Sequence, residues 1–432
     1  MHHFRYQDNE LFCEGVSVEA LARRHGTPLY VYSQQTLTDN FRRLDGAWAD
    51  VRHLPCYAVK ANSNLAILRL MVELGSGFDV VSGGELQRVL AAGGRADRCV
   101  FAGVAKTEAE IVAALRSGIH CFNVESEQEL ERIDRLAGEL GVVAPVALRV
   151  NPDVEARTHA KITTGTYENK FGIPFDHVES LYARAARKRH LWLRGLQMHI
   201  GSQLTRVQPF EEAVQKVAPL ARRLKDRYGI EFFDIGGGLG IVYEDALASG
   251  DPAWWRTPRA RKMLTPETYA ARLIPHLAPL GLRILMEPGR FITGNAGILV
   301  TRVEYIKQTG RKTFVIVDAA MTELIRPAFY DAYHEIVPVR RRKAAVTECD
   351  VVGGVCESGD YFCKDRPLPL PKPGDLLALF SAGAYGSAMG SNYNSRPLAA
   401  EVLVHGRRAA LVRQRQPLEA IWQWERPAPW QV

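Results

Sequence analysis

The feature that most constrains the fold of this chain is a regular alternation of short apolar runs with amphipathic stretches, beginning near residue 54. Eight strand-like runs follow one another: Cys56–Lys60, Phe78–Ser82, Val100–Val104, Phe122–Ser126, Ala147–Asn151, Leu196–Ser202, Phe232–Gly238 and Ile284–Gly289. Eight strand–helix units over roughly 230 residues predict a (β/α)8 barrel. A doubly wound open sheet is the alternative, and it is disfavoured because no GxGxxG motif follows the first strand.

The pattern changes after residue 297. Strand-like runs are then separated by Gly- and Pro-rich turns, at Leu299–Ile306, Thr313–Val317, Ile336–Val339, Leu376–Ser381 and Glu401–Val404. We therefore predict an α/β protein with a barrel over residues 30–297. Residues 1–29 and 298–432 are predicted to form a mostly-β domain of sandwich or Greek-key-like type. The Pro-rich stretch Lys364–Asp375 is interpreted as a loop between strands, and Trp254–Met263 as a surface insertion.

Composition excludes several classes of protein. The 432 residues carry 55 Lys and Arg against 48 Asp and Glu, and no apolar run is long enough to span a bilayer. The basic runs at 187–190 and 340–343 contain no aromatic residue, so we predict no nucleic-acid partner. The N-terminus lacks an apolar signal core, and none of the seven cysteines lies in a CxxC pair. We predict a cytoplasmic protein without a membrane segment, a disulfide framework or a metal site.

Polar residues collect where the predicted barrel strands end. Lys60 ends the first strand, Asp79 lies in the second, and His199 ends the sixth in HIGSQ. The seventh strand runs into Gly236–Gly238, and the eighth ends in EPGR at Glu287–Arg290. Because a barrel carries its active site at the carboxyl ends of its strands, these groups are predicted to meet at one mouth.

These residue types fit a covalently held, phosphorylated ring. An apolar setting would favour the neutral, nucleophilic amine of Lys60 that a Schiff base needs, although a single lysine at a strand end often just reaches for solvent. Gly236–Gly238 and the Gly289–Arg290 pair occupy the loops where barrels commonly bind phosphate; alternatively the glycines form only a tight turn.

The remaining barrel residues have a functional and a structural interpretation. Glu287 would hydrogen-bond a protonated ring nitrogen, or else form an ion pair with Arg290. His199 would stack on a planar ring, or else be a satisfied core histidine. Ser202 would donate to a phosphate, or else serve in a turn.

Two segments of the second domain are rich in glycine and polar residues. In CESGD, Cys356 lies in a context typical of an exposed loop, which makes a reactive thiol plausible. In GAYGSAMG, Tyr385 is flanked by small residues, which fits either close approach to a ligand or a β-turn.

Taken together, the motifs resemble a known family. The chain is similar, from about residue 28 to about 415, to the fold-type III pyridoxal-phosphate-dependent decarboxylases, and most closely to the diaminopimelate decarboxylase family. The motifs that carry the resemblance are YAVKAN, FDVVSGGEL, FNVESEQEL, LRVNPDV, ENKFGIP, HIGSQ, DIGGGLG, EPGR, CESGD and YNSRP.

The resemblance implies a barrel that binds pyridoxal phosphate. Lys60 matches the lysine that holds the cofactor covalently, His199 the residue stacked on its ring, and Glu287 the partner of its pyridine nitrogen. Asp79 matches an acidic residue near the covalent linkage. The phosphate-binding set would be Gly236, Gly237, Gly238, Ser202, Gly289, Arg290 and Tyr385.

The resemblance also implies a reaction and a substrate, meso-diaminopimelate, which would lose CO2 to give L-lysine in the last step of lysine biosynthesis. Cys356 matches the cysteine that protonates the carbanion, and in the family it comes from the neighbouring subunit of a homodimer. The substrate's distal carboxylate and ammonium would be bound by matching residues, namely Arg290, Arg326, Tyr330, Glu357 and Tyr385.

Three other interpretations remain open. A decarboxylase of the same fold could act on another diamino acid or a related biosynthetic intermediate, although Arg326 would then lack its carboxylate partner. A non-catalytic cofactor-binding relative is disfavoured because both Lys60 and Cys356 are present. A racemase is disfavoured because it needs an acid–base pair on both faces of Cα, whereas the CESGD loop resembles the decarboxylases.

Overall fold

The computed structural model describes residues 1–154 and 170–431. Glu168 and Asn169 of the ENKFGIP motif therefore lie outside the described residues. The chain divides into two compact units. We call residues 38–241 and 256–292 the barrel unit, and residues 1–37, 242–255 and 293–432 the β-rich unit.

The barrel unit contains a closed ring of eight parallel strands, as predicted. In chain order these are His53–Ala58, Gly77–Val80, Cys99–Phe101, Cys121–Val124, Ala144–Asn151, Leu191–Met198, Phe232–Asp234 and Arg283–Met286. Each strand pairs in parallel with the next, and the eighth pairs with the first through Leu285 and Leu54. A two-residue strand, Ile173–Pro174, is added beside the fifth.

Helices alternate with these strands, at Gln34–Ala47, Leu65–Glu73, Gly83–Ala91, Glu108–Ser117, Glu127–Leu140, Val178–Ala185, Gln208–Tyr228 and Pro266–Leu277. Their ends follow from local sequence. The helix Glu108–Ser117 starts at a capping box, in which Thr107 Oγ1 accepts from the Glu110 N–H at 3.3 Å and Glu110 accepts from the Thr107 N–H at 3.0 Å. It ends at Gly118, whose φ of 68° is accessible to glycine at little cost.

The interior of the barrel changes character along the strands. One part is an apolar cluster of buried residues, made of Leu54, Cys56, Val100, Cys121, Ala147, Phe232 and Leu285. Other strand residues bury polar side chains instead, namely Asp79, Asn123, Gln197 and Asp234, each at most 1 % exposed. Buried polar groups are costly unless they are hydrogen-bonded, so this polar half marks the functional end of the barrel.

The β-rich unit is organised around the long strand Gly297–Thr309. This strand pairs antiparallel with Leu29–Ser33, Lys312–Val317 and Leu376–Leu379. The sheet is completed by Ile336–Pro338, Val346–Val352, Tyr361–Pro369, Ala400–His405 and Arg408–Arg413. A small sheet of Phe4–Gln7, Glu10–Cys13 and Val16–Ser17 and the helices Val18–His25 and Arg326–Tyr330 belong to the same unit. The predicted mostly-β character is confirmed.

Part of the stretch predicted as a loop at Lys364–Asp375 is a strand. Residues 364–369 belong to Tyr361–Pro369, which pairs antiparallel with Val346–Val352. The prediction was wrong here because prolines were read as strand breakers. Tyr361–Pro369 lies at the edge of the sheet, where the missing N–H of a proline is tolerated.

Two further segments differ from the predicted boundaries. Residues 30–33, which the sequence analysis assigns to the barrel, lie in the strand Leu29–Ser33 of the β-rich sheet. Residues 242–255, between the seventh and eighth barrel strands, also belong to the β-rich unit. Within the described ranges, no helix has the length and apolarity needed to cross a membrane.

Candidate active site

Lys60 lies directly after the first barrel strand, in the short 3-10 turn Val59–Ala61. Its Nζ donates to Oδ2 of Asp79, which is fully buried in the second strand. The Lys60 side chain is 38 % exposed, so the amine is not desolvated as the sequence analysis expects. A carboxylate partner stabilises the ammonium instead, and it holds Nζ at the carboxyl end of the barrel.

His199 follows the sixth strand, and its ring is fixed by the backbone of the glycine loop. The N–H of Gly237 donates to His199 Nδ1 over 3.2 Å, which leaves the ring proton on Nε2. Desolvation lowers the pKa of His199 well below its ordinary value, and the charges of Arg149 and Lys60 act in the same direction. The ring is therefore neutral, as a flat surface for stacking requires.

The loop Gly236–Gly238 admits no side chain. A Cβ at these three positions would lie 2.2–2.4 Å from the backbone carbonyl oxygens of Met198, Glu287 and Gly201. Gly236 and Gly238 also have φ values of 70° and 110°. The loop is therefore pressed against the ends of the sixth and eighth strands, and its lack of side chains allows a ligand to approach the backbone closely.

Arg290 stands beside this loop. Its side chain is buried, and Nη2 donates to Ser202 Oγ over 3.0 Å. Gly289, just before it, has Ala61 and Ala58 so close that a Cβ would lie 2.9 and 3.1 Å from their methyl carbons. The structure thus brings together Ser202, Gly289 and Arg290 as predicted, with a guanidinium suited to a phosphate.

Glu287 lies below these groups in a buried carboxyl cluster. Its Oε1 accepts hydrogen bonds from Asn123 Nδ2 and Gln197 Nε2, both at 3.2 Å. Burial raises the pKa of Glu287 well above its ordinary value, and the charges of Asp234 and Asp79 raise it further. Both effects favour the protonated form of Glu287, whereas the residues alone predict a carboxylate. A cationic partner would reverse this balance.

Asp234 shares this cluster and was missed by the sequence analysis. It is fully buried in the seventh strand, its Oδ1 accepts from the Gly236 N–H at 2.9 Å, and its charge acts on Glu287. Burial raises the pKa of Asp234 to about 7, against the opposing effect of the Gly236 bond. Asp234 and Glu287 are therefore two interacting buried carboxyls whose pKa values are both raised.

In the β-rich unit, Arg326 begins the short helix Arg326–Tyr330 and is 6 % exposed. Its guanidinium carbon lies 5.2 Å from the ring centroid of Tyr243 and 5.9 Å from that of Tyr330. Its Nε donates to Nε2 of His334 over 3.3 Å. Such an aromatic setting stabilises a cation and aligns a planar fork suited to a carboxylate.

Cys356 and Glu357 are exposed in the turn Gly353–Asp360. The turn is held by the buried Asp360, whose carboxylate accepts from the N–H groups of Met321 at 2.6 Å and Val355 at 2.8 Å. The Cys356 N–H donates to Asn394 Oδ1 at 2.9 Å. An ordered loop thus carries an exposed thiol, as the sequence predicts.

Tyr385 adopts a left-handed backbone with φ of 55°, between two glycines that have no room for a side chain. A Cβ at Gly383 would lie 1.9 Å from the Thr293 carbonyl oxygen, and one at Gly386 2.5 Å from the Ala382 carbonyl oxygen. This conformation is costly for a tyrosine, and such strain is typical of residues held at ligand sites.

Comparison with known proteins agrees with this fold and these groups. The family model for the pyridoxal-binding domain of pyridoxal-dependent decarboxylases matches residues 34–294. A diaminopimelate decarboxylase of Pseudomonas aeruginosa is 50% identical over 99% of this chain and 100% of its own, and one of Vibrio cholerae is 49% identical over the same shares.

Solved structures give the same result. The Helicobacter pylori diaminopimelate decarboxylase complexed with L-lysine superposes with a TM-score of 0.87 at 40% identity, covering 94% of this chain and 98% of that one. The diaminopimelate decarboxylase from m. jannaschii, in co-complex with L-lysine, superposes with a TM-score of 0.90 at 35% identity, covering 100% of this chain and 100% of that one.

A parallel barrel with a lysine, a glycine loop and a buried acid at its strand ends defines a pyridoxal-phosphate-dependent carboxy-lyase. With relatives at this identity over its whole length, the chain belongs to the diaminopimelate decarboxylase family.

The residues present fit pyridoxal phosphate. Oδ1 of Asp79 is buried and receives no hydrogen bond from any described residue. Because buried polar atoms are normally hydrogen-bonded, this oxygen is suited to accept from a polar group of a ligand beside Lys60. Ser202 and Arg290 offer donors for a phosphate beside the side-chain-free glycine loop, and Glu287 offers an acid for a ring nitrogen. An amine, an anion site and a buried acid are the three anchors that this cofactor requires.

Proposed function

We propose that this chain decarboxylates meso-2,6-diaminopimelate to L-lysine and CO2, the last step of lysine biosynthesis. The observation that carries the substrate assignment is the buried Arg326, whose guanidinium lies against Tyr243 and Tyr330. The planar donor fork of a buried guanidinium matches the two oxygens of a carboxylate. Diaminopimelate keeps a second amino-acid head group, whereas ornithine- and arginine-type substrates have none.

In this proposal the barrel residues hold and orient the cofactor. Lys60, with Asp79 beside its Nζ, would hold the cofactor covalently, and the neutral His199 would pack against its ring. Its phosphate is held by one set of residues, namely Ser202, Gly236, Gly237, Gly238, Gly289, Arg290 and Tyr385. When bound, pyridoxal phosphate supplies an electron sink for the pair left by the departing CO2.

Glu287 and Asp234 would set the charge next to the pyridine nitrogen of the cofactor. Glu287 would meet the pyridine nitrogen of the cofactor, and the nearby Asp234 acts on the charge of Glu287. A cation at that nitrogen lowers the pKa of Glu287 again, because an opposite charge favours the carboxylate. Asn123 and Gln197 keep the Glu287 oxygen in place throughout.

The β-rich residues bind the substrate and complete the proton balance. One C–C bond breaks, CO2 leaves, and the electron pair at Cα takes up one proton, which we assign to the Cys356 thiol. Arg326, Tyr330, Arg290 and Tyr385 bind the substrate's carboxylate end, and Glu357 its distal ammonium. The exposure of Cys356 and Glu357 supports their contact with a molecule outside their own turn.

We further propose a homodimer in which Cys356 serves the site of the neighbouring subunit. Exposure of a catalytic thiol in its own chain is the expected consequence of such sharing. We place the enzyme in the cytoplasm, where its cysteines stay reduced; all seven are free thiols.

The test is a reaction in D2O with cofactor-loaded protein and meso-diaminopimelate. We expect equal amounts of CO2 and L-lysine, with one non-exchanging deuterium on the carbon that lost CO2. Protein freed of pyridoxal phosphate serves as the control. CO2 release without L-lysine, or deuterium without CO2 release, would contradict the proposal.

A further inference from the structure

His334 is a fully buried histidine that no role above uses. Its ring bridges two groups in the β-rich unit. Nδ1 lies 2.8 Å from the carbonyl oxygen of Phe380, and Nε2 lies 3.3 Å from Nε of Arg326. Tyr243 meets the ring edge-on, with centroids 5.3 Å apart.

These two contacts fix the protonation of the ring. A carbonyl oxygen only accepts, so Nδ1 carries the proton and donates to Phe380. The Nε–H of an arginine only donates, so Nε2 of His334 presents its lone pair. The ring must be neutral, with a single tautomer, for both bonds to exist.

The backbone around His334 keeps the ring in place. The His334 carbonyl accepts from Arg366 Nη1, and the next residue, Glu335, accepts at its backbone oxygen from the Phe380 N–H at 2.8 Å. The Glu335 carboxylate accepts from the Leu247 N–H at 2.7 Å. Because the ring is held in place, its Nε2 atom is a fixed acceptor that sets the orientation of the Arg326 guanidinium plane.

We propose that His334 is the positioning residue that selects substrates with a distal carboxylate, by committing Nε of Arg326. With Nε donating to His334 and the guanidinium carbon 5.2 and 5.9 Å from the ring centroids of Tyr243 and Tyr330, Arg326 would meet a carboxylate through its two Nη atoms. This inference rests on the proposed function, because it assigns Arg326 to the substrate.

The experiment compares two ligands that differ in one carboxylate. L-Lysine and 1,5-diaminopentane share the reacting amine and chain length, but only L-lysine has the distal carboxylate. Their dissociation constants are measured on cofactor-loaded protein for wild type, His334→Asn and His334→Gln. Asn keeps a donor near the Nδ1 position and loses the acceptor for Arg326, whereas Gln restores an acceptor oxygen near the Nε2 position.

We expect His334→Asn to weaken L-lysine binding about 10-fold and to change 1,5-diaminopentane binding less than about twofold. The KM for meso-diaminopimelate should rise in parallel, with a smaller change in kcat. His334→Gln should recover part of the loss. In an Arg326→Lys background, His334→Asn should weaken L-lysine binding little further, because the hydrogen bond between Arg326 Nε and His334 is already absent.

Two controls keep the outcome clear. His405→Asn changes an exposed histidine of the same unit and should alter neither ligand. The bound-cofactor absorbance and the melting temperature show that each variant is folded. Equal losses for both ligands, or no loss for either, would overturn the role of His334. A wild type that binds L-lysine no better than 1,5-diaminopentane would overturn the proposed function itself.

Discussion

The backbone N–H of Gly237 donates to Nδ1 of His199 over 3.2 Å, and this bond joins the glycine loop to the ring beside it. The contact leaves the proton on Nε2, and desolvation lowers the pKa of His199 well below its ordinary value. One interaction therefore shapes the anion site and holds a neutral ring in place.

The first prediction concerns His199. In ¹⁵N spectra of the cofactor-free protein, its ring should keep the neutral Nε2–H form well below pH 6, because desolvation lowers the pKa of His199. His199→Ala should weaken cofactor binding about 10-fold, because ring packing and the Gly237 bond are both lost. A His199 ring that becomes charged near pH 6.5 would contradict this account.

The second prediction concerns Lys60. Borohydride reduction of the cofactor-loaded protein should fix pyridoxal phosphate on the peptide that contains Lys60, since the amine lies at the carboxyl end of the barrel beside Asp79. Lys60→Ala should remove this label and the bound-cofactor absorbance. Lys216→Ala, an exposed lysine on a barrel helix, serves as the control. A label that persists on another lysine in Lys60→Ala would refute the assignment.

The third prediction concerns Cys356. Cys356→Ala should bind cofactor and substrate as the wild type does, but turn over about 100- to 10,000-fold more slowly, because proton delivery to Cα is lost. Ser358→Ala, in the same exposed turn, is the matched control. Undiminished turnover in Cys356→Ala would remove the thiol from the mechanism.

Mixing subunits extends that test to the proposed dimer. An equal mixture of Lys60→Ala and Cys356→Ala subunits, after exchange, should regain up to about one quarter of wild-type activity, because half the dimers then carry one intact site. A mixture that exchanges subunits without any gain would argue against a shared site.

The fourth prediction uses the carboxyl pair of Asp234 and Glu287. The pKa of Asp234 is raised to about 7, so folded protein retains a proton that the unfolded chain loses between about pH 4 and pH 7. The contribution of the Asp234 carboxyl to the free energy of unfolding is therefore present at low pH and is lost as the pH rises through 7. Asp234→Asn keeps an acceptor for the Gly236 N–H and removes the ionisation.

The cofactor-free Asp234→Asn variant should consequently melt at least about 2 °C above wild type at pH 8, and gain less at pH 5. Asp97→Asn changes an exposed carboxylate on the same unit and should lack this pH dependence. An equal shift at both pH values would mean that Asp234 does not hold a proton in the folded protein.

The sequence predicts the barrel well because parallel strands buried on both faces give continuous apolar runs, and the first five of the eight start 22 to 24 residues apart. Strand ends then identify Lys60, His199, the glycine loop and Arg290 as neighbours, since all parallel strands end on one side. The site is predictable to the extent that topology alone determines proximity.

Other features depend on contacts that no local pattern encodes. Asp234 and His334 lie far along the chain from some of the groups they touch. In the sequence, neither residue differs from an ordinary polar residue near apolar ones, so their contacts could not be predicted. The charge state of Glu287 depends on Asp234 and Asp79, which only folding brings near. The strand Tyr361–Pro369 was missed because its tolerance of proline depends on an edge position.

The most direct test of the account is CO2 release by cofactor-loaded protein across matched substrates. The panel holds meso-diaminopimelate, its LL isomer, L-lysine, ornithine and arginine at equal concentrations. The account predicts strong preference for the meso isomer, with L-lysine as product. Faster release from ornithine, arginine or L-lysine would contradict it, because those substrates leave the buried guanidinium of Arg326 without the second carboxylate.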